Sequence, residues 1–287
     1  MPLVKSLTQR FSFLPFDKHR PSKFRFSQLL PLLLIVIAVY CFLELAWPKR
    51  FLLPGLFGES VFCINTPDKV LALTFDDGPD PVYTRAISQT LLDYQAQGTF
   101  FVLGKHSAKY PQIVRTLEKQ GHEIANHTWH HYNLNSKFKD TISREIRETD
   151  ILISQLISRD NVHFRPPFGR AGFVVTNVLK QIKKPIIFWD VDLQDWRGKS
   201  AAEMMKIFEN NFHNGSIILL HDSDGVAKKG VYASRHNTVE VVEEILKAYT
   251  PQGYEFVTIS ELLKRGTVVK VQERCLKQFS NNKDGLE

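Results

Sequence analysis

The sequence is poor in cysteine, and most of it carries no excess charge. Three Cys in 287 residues are too few for a disulfide-dense scaffold. The 15 Gly and 14 Pro follow no repeat, and 43% of the residues are hydrophobic, which excludes a collagen-like or a disordered chain. Residues 51–287 hold 29 basic and 28 acidic residues. This near-neutral body argues against a basic nucleic-acid-binding domain, and it is long enough to bury a full hydrophobic core.

The surplus charge of +7 is concentrated at the N-terminus, ahead of the longest apolar run of the chain. Residues 1–28 contain six basic residues and one acidic residue. Residues 29–43 carry no charge, and the apolar segment extends to Trp47 if Glu44 is allowed. About 20 apolar residues span a bilayer. We therefore expect an uncleaved transmembrane signal anchor over residues 29–47, while a buried core helix and a cleaved signal peptide are the alternatives.

The charges that flank this segment predict its orientation. The basic tail precedes the run, and only Lys49 and Arg50 follow it closely, so the N-terminus should stay in the cytoplasm. We expect a single-pass membrane protein whose body is extracytoplasmic, in the cell envelope. Cys63 and Cys275 lie near the two ends of this body, and such a compartment permits a disulfide between them. Two free thiols are equally compatible with the sequence.

Short apolar segments alternate with amphipathic helical patterns about seven times along the body. This alternation predicts parallel strands joined by helices, in a barrel or a doubly wound sheet. The predicted strands cover residues 70–75, 98–104, 122–128, 162–169, 185–192, 215–222 and 253–259, and the predicted helices cover 82–97, 109–120, 138–158, 171–183, 200–212 and 236–250. The expected order of segments is a basic tail at 1–28, the anchor at 29–47, a linker at 48–67, an α/β domain at 68–265 and a charged tail at 266–287.

Polar residues follow the carboxyl ends of five predicted strands, in the sequences TFDD, NHTWHH, FRPPFG, DVDLQDW and LLHD. In β/α barrels, catalytic residues collect at that edge of the sheet. Each motif alone has an ordinary explanation, since Asp-Asp-Gly-Pro is turn chemistry and a histidine such as His221 after a buried strand is commonly structural. Arg165, Asp195 and Trp196 are equally explained by an ion pair and a core aromatic. The order of the five motifs together favours one active site.

Asp76, Asp77, His127 and His131 are candidates for acid–base and metal chemistry. In an extended segment the side chains of Asp76 and Asp77 diverge, so we expect them to have different partners. His127 and His131 are four residues apart and would share one face of a helical turn, where they can bind one metal ion. One aspartate and two histidines provide three ligands and leave a position open, which is typical of a catalytic metal site.

The five motifs TFDDGP, HTWHH, RPPFG, DLQDW and LLH resemble, in this order, those of the polysaccharide deacetylases of carbohydrate esterase family 4. The resemblance covers roughly residues 68–265. It implies an α/β fold in the form of a distorted (β/α)7 barrel. The reaction that it implies is metal-dependent hydrolysis of an N-acetyl group, or less often an O-acetyl group, on a sugar polymer.

The resemblance also implies how the base and the metal are held. Asp76 is expected to be the general base, and Arg165 is expected to hold it in place and keep it ionised. Asp77, His127 and His131 are expected to bind a divalent metal ion. Zinc is the default for such a ligand set, and cobalt and nickel are also compatible with it.

The remaining roles concern the acid and the acetyl pocket. By resemblance, His221 is the general acid and Asp195 tunes its pKa. The backbone N–H of Phe168 is expected to help hold the oxyanion, and Trp196 and Leu219 are expected to shape the pocket. The family often has Tyr at the position of Phe168, and a contribution made by the backbone tolerates this difference.

The sequence leaves the polymer open. Peptidoglycan, chitin-like oligomers, a poly-N-acetylglucosamine exopolysaccharide and acetylated xylan are all compatible with it, the last as an O-acetyl substrate. An inactive carbohydrate-binding homologue is the alternative from another class, and the retention of every catalytic position argues against it. The expected partners are the acetylated polysaccharide and the membrane. We expect no nucleic acid and infer no protein partner, and the oligomeric state stays open.

Overall fold

The computed structural model describes residues 59–158, 163–225 and 234–270, and single residues at positions 31, 34, 35, 38, 272 and 275. The chain divides into two compact units, Met1–Phe51 and Leu52–Glu287. The predicted anchor lies outside the described residues, apart from positions 31, 34, 35 and 38, which are helical. In the part of the chain that the structure describes, no helix is long and apolar enough to cross a membrane. The anchor and the boundaries of the N-terminal segments therefore stay predictions.

Strands and helices alternate along the second unit, as the sequence pattern predicts. The strands are β1 Ser60–Val61, β2 Cys63–Asn65, β3 Val70–Asp76, β4 Gly98–Val102, β5 Glu123–Asn126, β6 Ile186–Ile187, β7 Val191–Asp192, β8 Ile217–His221, β9 Glu255–Phe256 and β10 Thr267–Val269. The helices are α1 Tyr83–Asp93, α2 Gly104–Lys109, α3 Pro111–Lys119, α4 Lys139–Leu156, α5 Phe173–Gln181, α6 Ala201–Asn211, α7 His236–Tyr249 and α8 Ile259–Leu262. The short helices α2 and α8 are additions to the six predicted ones.

A parallel sheet lies at the centre of this unit. Its strand order is β5-β4-β3-β8-β7, and β9 pairs in parallel with the start of β3. All neighbouring strands in this order run parallel, as expected where helices connect successive strands. The predicted α/β fold with a parallel sheet is confirmed.

The closed seven-stranded barrel stays a prediction, because the fifth predicted strand is interrupted. Residues 185–192 form two short strands, β6 and β7, instead of one. β6 pairs with β1 and meets Phe164 in a single bridge, whereas β7 pairs with β8. The fourth predicted strand is reduced to the isolated bridges of Phe164. Between β6 and β7, the carbonyl of Phe188 accepts a hydrogen bond from the side chain of Arg165, so this backbone supports the site.

The predicted linker and C-terminal tail both contribute strands. β2, within the linker at 48–67, pairs antiparallel with β10, within the tail at 266–287. The sequence pattern did not predict these strands, because strands of two or three residues are too short to produce a periodic pattern. Cys63 of β2 and Cys275 form a disulfide, with their Cα atoms 6.2 Å apart. The pairing that the sequence left open therefore joins the two ends of the body.

The two faces of β3 separate the core from the site. One face packs with residues of α1, α3, α4, α6 and α7 in the main hydrophobic core, through Leu71, Leu73 and Phe75. Because side chains alternate along a strand, Asp76 points to the other face. Asp76 is in register with His221 on the neighbouring strand β8. The sheet therefore brings these two residues to adjacent positions at its carboxyl edge.

Candidate active site

Asp76 ends β3 with its carboxyl group buried. Its Oδ1 accepts a hydrogen bond from Nη1 of Arg165 at 2.8 Å, and its Oδ2 lies 3.8 Å from Nε2 of His127. Burial raises the pKa of Asp76 above its ordinary value, and the charge of Arg165 opposes that rise. A carboxyl group with a raised pKa is suited to general-base catalysis closer to neutral pH.

Arg165 is fully buried and joins several parts of the site. Its Nη1 donates to Oγ1 of Thr74 and to Oδ1 of Asp76, both at 2.8 Å. Its Nε donates to the carbonyl of Ile187 and its Nη2 to the carbonyl of Phe188, each at 3.1 Å. A buried cation needs a charged partner and hydrogen bonds, and Arg165 has both. The split between β6 and β7 supplies part of this support.

Asp77 follows β3 with a φ of 82°, and its carboxylate is directed at two histidines. Its Oδ1 lies 3.5 Å from Nε2 of His127 and 3.2 Å from Nε2 of His131. This buried oxygen has no hydrogen-bond partner among the described residues. Burial raises the pKa of Asp77 to about 7. Asp76 pairs with Arg165 and Asp77 with His131, but the two carboxylates do not diverge fully, since their oxygens lie 3.8 Å and 3.5 Å from the same Nε2 of His127.

His127 and His131 reach Asp77 from the loop after β5, so the helical turn that their spacing suggested was wrong. Thr128 and His131 have φ values of 74° and 60°, which no α-helix contains. Nδ1 of His127 lies 2.8 Å from the carbonyl oxygen of Arg165, which leaves Nε2 directed at Asp77. Burial lowers the pKa of both imidazoles to about 3. Both rings are therefore neutral at pH 7, the form that binds metals.

Asp77, His127 and His131 together fit a divalent metal ion. All three are buried, and their ligand atoms lie within 4.8 Å of one another. A carboxylate and two neutral imidazoles are donors that zinc and its neighbours accept. The buried Oδ1 of Asp77 lacks a hydrogen-bond partner, as expected for an atom whose partner is an ion. The fold thus brings the predicted ligand set together.

His221 ends β8 and is held by Asp195. Its Nδ1 lies 2.8 Å from Oδ1 of Asp195, and its backbone N–H donates to Oδ2 at 2.8 Å. Thr238 donates to the same Oδ2 at 3.0 Å. Burial lowers the pKa of His221, but the charge and the hydrogen bond of Asp195 outweigh it and raise the pKa to about 9. At neutral pH the pair is an imidazolium and a carboxylate, which leaves Nε2–H of His221 as an acid.

Phe168, Trp196 and Leu219 differ in their exposure. Phe168 is 55% exposed, has a φ of 61°, and its ring centroid lies 4.6 Å from that of His131. Trp196 is half-exposed and follows Asp195 directly. Leu219 is buried and precedes His221 by two residues on β8, so both point to the same face. The side chains of Phe168 and Trp196 are thus accessible from solvent, whereas that of Leu219 is not.

Three polar residues near the site were not predicted. Nδ1 of His106 lies 2.8 Å from the carbonyl oxygen of Asp77. The carboxylate of Asp222 packs closely on Gly78, and a Cβ added at Gly78 would lie only 2.2 Å from Oδ2 of Asp222. Arg235 is buried, and its charge favours the ionised form of Asp77. Asp222 ends the LLHD motif, so the sequence contained a signal for it. His106 lies on helix α2, which was not predicted, and Arg235 belongs to none of the five motifs.

Comparisons with known proteins point to one family. Residues 64–186 match the family model described as polysaccharide deacetylase. The chain is 32% identical over 199 residues to a peptidoglycan-N-acetylglucosamine deacetylase of Bacillus cereus, a match that covers 69% of this chain and 89% of that protein. The chain is also 32% identical over 199 residues to the peptidoglycan-N-acetylmuramic acid deacetylase PdaC of Bacillus subtilis. This match covers 69% of this chain but only 40% of that protein. A crystal structure of a peptidoglycan N-acetylglucosamine deacetylase matches with a TM-score of 0.67 and 29% identity, over 74% of this chain and 96% of that one.

Proposed function

The chain belongs to the polysaccharide deacetylase family, and we propose that it hydrolyses N-acetyl groups of an N-acetylhexosamine-containing glycan outside the cytoplasm. One observation carries this proposal. Two acid–base pairs, Asp76 with Arg165 and His221 with Asp195, meet in register at the edge of the sheet that also holds the candidate metal ligands. Amide hydrolysis needs a base for water and an acid for the leaving amine, and this edge provides both.

The residues divide the first step of the reaction between them. Asp77, His127 and His131 would hold a divalent ion, which would supply Lewis-acid polarisation of the acetyl carbonyl and lower the pKa of water. Asp76 takes a proton from the attacking water through its carboxylate. The hydrogen bond from Arg165 orients that carboxylate and favours its ionised form before the transfer.

The second step needs a proton for the leaving group. Nε2–H of His221 gives this proton to the amine nitrogen, since Asp195 keeps the ring protonated at neutral pH. The backbone N–H of Phe168 is assigned to the carbonyl oxygen, where it stabilises the negative charge that develops. Asp76 then holds the proton of the water and His221 is neutral, and exchange with solvent restores both.

The relatives named above act, by their names, on peptidoglycan, and this polymer leads our list of substrates. Acetate release from peptidoglycan, acetylated chitooligosaccharides, poly-N-acetylglucosamine and acetylated xylan by the full chain tests the proposal. Release from the first three supports an N-deacetylase. Release from xylan alone would make the chain an O-acetyl esterase, and retention of glycan binding without release would make it an inactive homologue.

We also propose that residues 29–47 anchor the chain with its N-terminus in the cytoplasm and its body in a distorted (β/α)7 barrel outside. The basic tail, the length of the apolar run and a disulfide that an oxidising compartment favours support this topology. A reporter that works only outside the cytoplasm should be active when it is fused to the C-terminus. Activity of a C-terminal reporter that works only in the cytoplasm would overturn the topology without bearing on the chemistry.

The rate of hydrolysis is expected to follow a bell-shaped dependence on pH. The acid must be protonated, so the rate falls as the pH rises past the pKa of His221 at about 9. The base must be ionised, so the rate also falls as the pH drops through the pKa of Asp76, which burial raises above the ordinary aspartate range. His221→Asn should remove the alkaline limb. A wild-type rate that still climbs well above that pKa would contradict the assignment of the acid.

Arg165→Lys is expected to lower stability and to shift the acidic limb of that profile. Lysine lacks the planar fork, so the carbonyls of Ile187 and Phe188 lose their donors, at about 1–3 kcal/mol for each buried group left unpaired. Weaker pairing lets the pKa of Asp76 rise further, which moves the limb to higher pH. Urea unfolding and the pH–rate profile measure the two effects. The exposed Arg144→Lys should change neither, and an unshifted limb in Arg165→Lys would argue against its role in holding the base.

A further inference from the structure

A second cluster of buried ligand atoms lies at the edge of the sheet opposite the active site. Cys63, Asp190, His213 and Cys275 each place one ligand atom within 4.8 Å of the others. Asp190 directly precedes β7, and His213 precedes β8, whose other end carries His221. This amino-edge cluster is therefore separate from the candidate active site. All four of its residues are at least nine-tenths buried.

His213 is held in the tautomer that suits a metal ligand. Its Nδ1 lies 2.8 Å from the carbonyl oxygen of Asn214, so Nδ1 carries the proton and Nε2 faces the cluster. Burial lowers the pKa of His213, but the carboxylate of Asp190, whose Oδ2 lies 3.0 Å from Nε2, outweighs it and raises the pKa above its ordinary value. A backbone carbonyl orients His127 of the candidate active site in the same way. After Nε2 loses the proton that Asp190 favours, the imidazole of His213 can donate a lone pair to an ion.

Asp190 is fixed by neighbours of its own. Its Oδ1 accepts the backbone N–H of Ile217 at 2.7 Å, and its Oδ2 accepts the hydroxyl of Ser216 at 2.8 Å. The side chains of Asp190 and His213 are 0% and 3% exposed, and burial of such groups is costly. A disulfide is neutral and does not require a carboxylate and an imidazole beside it. The Cys63–Cys275 bond alone therefore does not account for the cluster.

We propose that, once the Cys63–Cys275 disulfide is reduced, the amino-edge cluster binds one zinc-type divalent ion through both sulfurs, His213 and Asp190. Four protein ligands leave no open position, which is the arrangement of a structural site. Zinc bonds of about 2.3 Å to sulfur and about 2.0 Å to nitrogen place tetrahedral ligand atoms roughly 3.5–4 Å apart. The four ligand atoms lie within 4.8 Å of one another, so the two sulfurs must move apart after reduction to reach these separations. The ion joins the same two ends of the body that the disulfide joins.

A phosphine can supply the two electrons that convert the disulfide form of the cluster into its thiol form. The phosphine is oxidised to its oxide with the oxygen of one water, the S–S bond breaks, and the two protons of that water go to the two sulfurs. Binding of the ion then releases both protons as the thiolates form. One covalent link is thereby replaced by one coordinated ion.

A cobalt(II) titration of the full chain tests the proposal, because thiolate-to-cobalt charge transfer appears only where sulfur is a ligand. The candidate active-site ligands Asp77, His127 and His131 contain no sulfur. The titration uses a Cys41→Ser background, which leaves only the two cluster thiols. The phosphine-reduced chain should bind one more equivalent of cobalt than the oxidised chain and should develop the charge-transfer band. The oxidised chain should show no such band.

Variants separate the two sites. Cys63→Ser combined with Cys275→Ser should abolish the band and the additional equivalent. His213→Gln should keep the disulfide under oxidising conditions and weaken cobalt binding by the reduced chain at least about tenfold. His131→Ala should lose the active-site equivalent and keep the band. Equally tight binding by His213→Gln would show that His213 is not a ligand.

The folded state of the reduced chain decides the remaining outcomes. A reduced chain that unfolds without cobalt and refolds with it, as measured by circular dichroism, supports the proposal. A reduced chain that stays folded but takes up no additional cobalt and shows no band overturns it. A reduced chain that unfolds and is not rescued by cobalt overturns it as well, and the cluster is then a disulfide beside an ion pair.

Discussion

His131→Ala is expected to lose the bound metal and to reduce acetate release to the background of the assay. Its Nε2 lies 3.2 Å from Oδ1 of Asp77, and its removal leaves only two of the three ligands. Lewis-acid polarisation is worth several kcal/mol and about 1.4 kcal/mol corresponds to a factor of ten, so we expect a loss of roughly a thousandfold or more. Elemental analysis of the purified chain and acetate release from the same sample measure both effects.

The neighbouring residue provides a matched control. His130 pairs with Glu145 at 2.7 Å, and its side chain is 43% exposed. His130→Ala should therefore keep its metal and stay within about twofold of the wild-type rate. Equal losses in the two variants would indicate damage to the whole loop, and full metal content in His131→Ala would remove it from the ligand set.

Removal of the metal by a chelator should have the same effect as the ligand variant, but reversibly. We expect chelation to abolish acetate release and added zinc, cobalt or nickel to restore it, since this ligand set accepts all three. The ion that restores the highest rate at the lowest concentration is the candidate for the native one. A rate that chelation does not change would contradict the metal-dependent mechanism.

The two strands that carry the acid and the base follow from local sequence patterns. The apolar runs at 70–75 and 215–222 predict β3 and β8, because a buried parallel strand is continuously hydrophobic. Polar residues that end such runs lie at one edge of a parallel sheet. The register between Asp76 and His221 then follows from the pairing of β3 with β8. For these residues, the sequence is sufficient to predict both the element and the edge.

Local patterns do not reach the parts of the site that depend on loops and distant contacts. A spacing of four suggests a helical turn, but the positive φ values of Thr128 and His131 bring the two histidines together in a loop. At the interruption between β6 and β7, the carbonyls of Ile187 and Phe188 accept hydrogen bonds from Arg165, which lies 22 and 23 residues earlier in the chain, beyond the reach of a local pattern. Cys63 and Cys275 are separated by 212 residues, and sequence spacing alone does not specify such a pairing.

Asp76→Asn is expected to lower the rate of acetate release by roughly 10²–10⁴-fold, while the chain keeps its metal. Asparagine has the shape of aspartate, and its oxygen still accepts the bond that Arg165 donates to Oδ1 at 2.8 Å. The ligand atoms of Asp77, His127 and His131 are left in place. The variant loses only the negative charge and the ability to take a proton from water, so the rate falls without loss of the site.

The pH–rate profile separates a base from a residue that only positions its neighbours. In Asp76→Asn the residual rate should lose its acidic limb and keep the alkaline limb that His221 produces. Asp93→Asn makes the same chemical change at the exposed end of α1, where Gln89 is the partner, and should leave the profile unchanged. A nearly normal rate in Asp76→Asn would refute the base assignment. Loss of metal together with rate would instead place Asp76 among the ligands, in line with the 3.8 Å between its Oδ2 and Nε2 of His127.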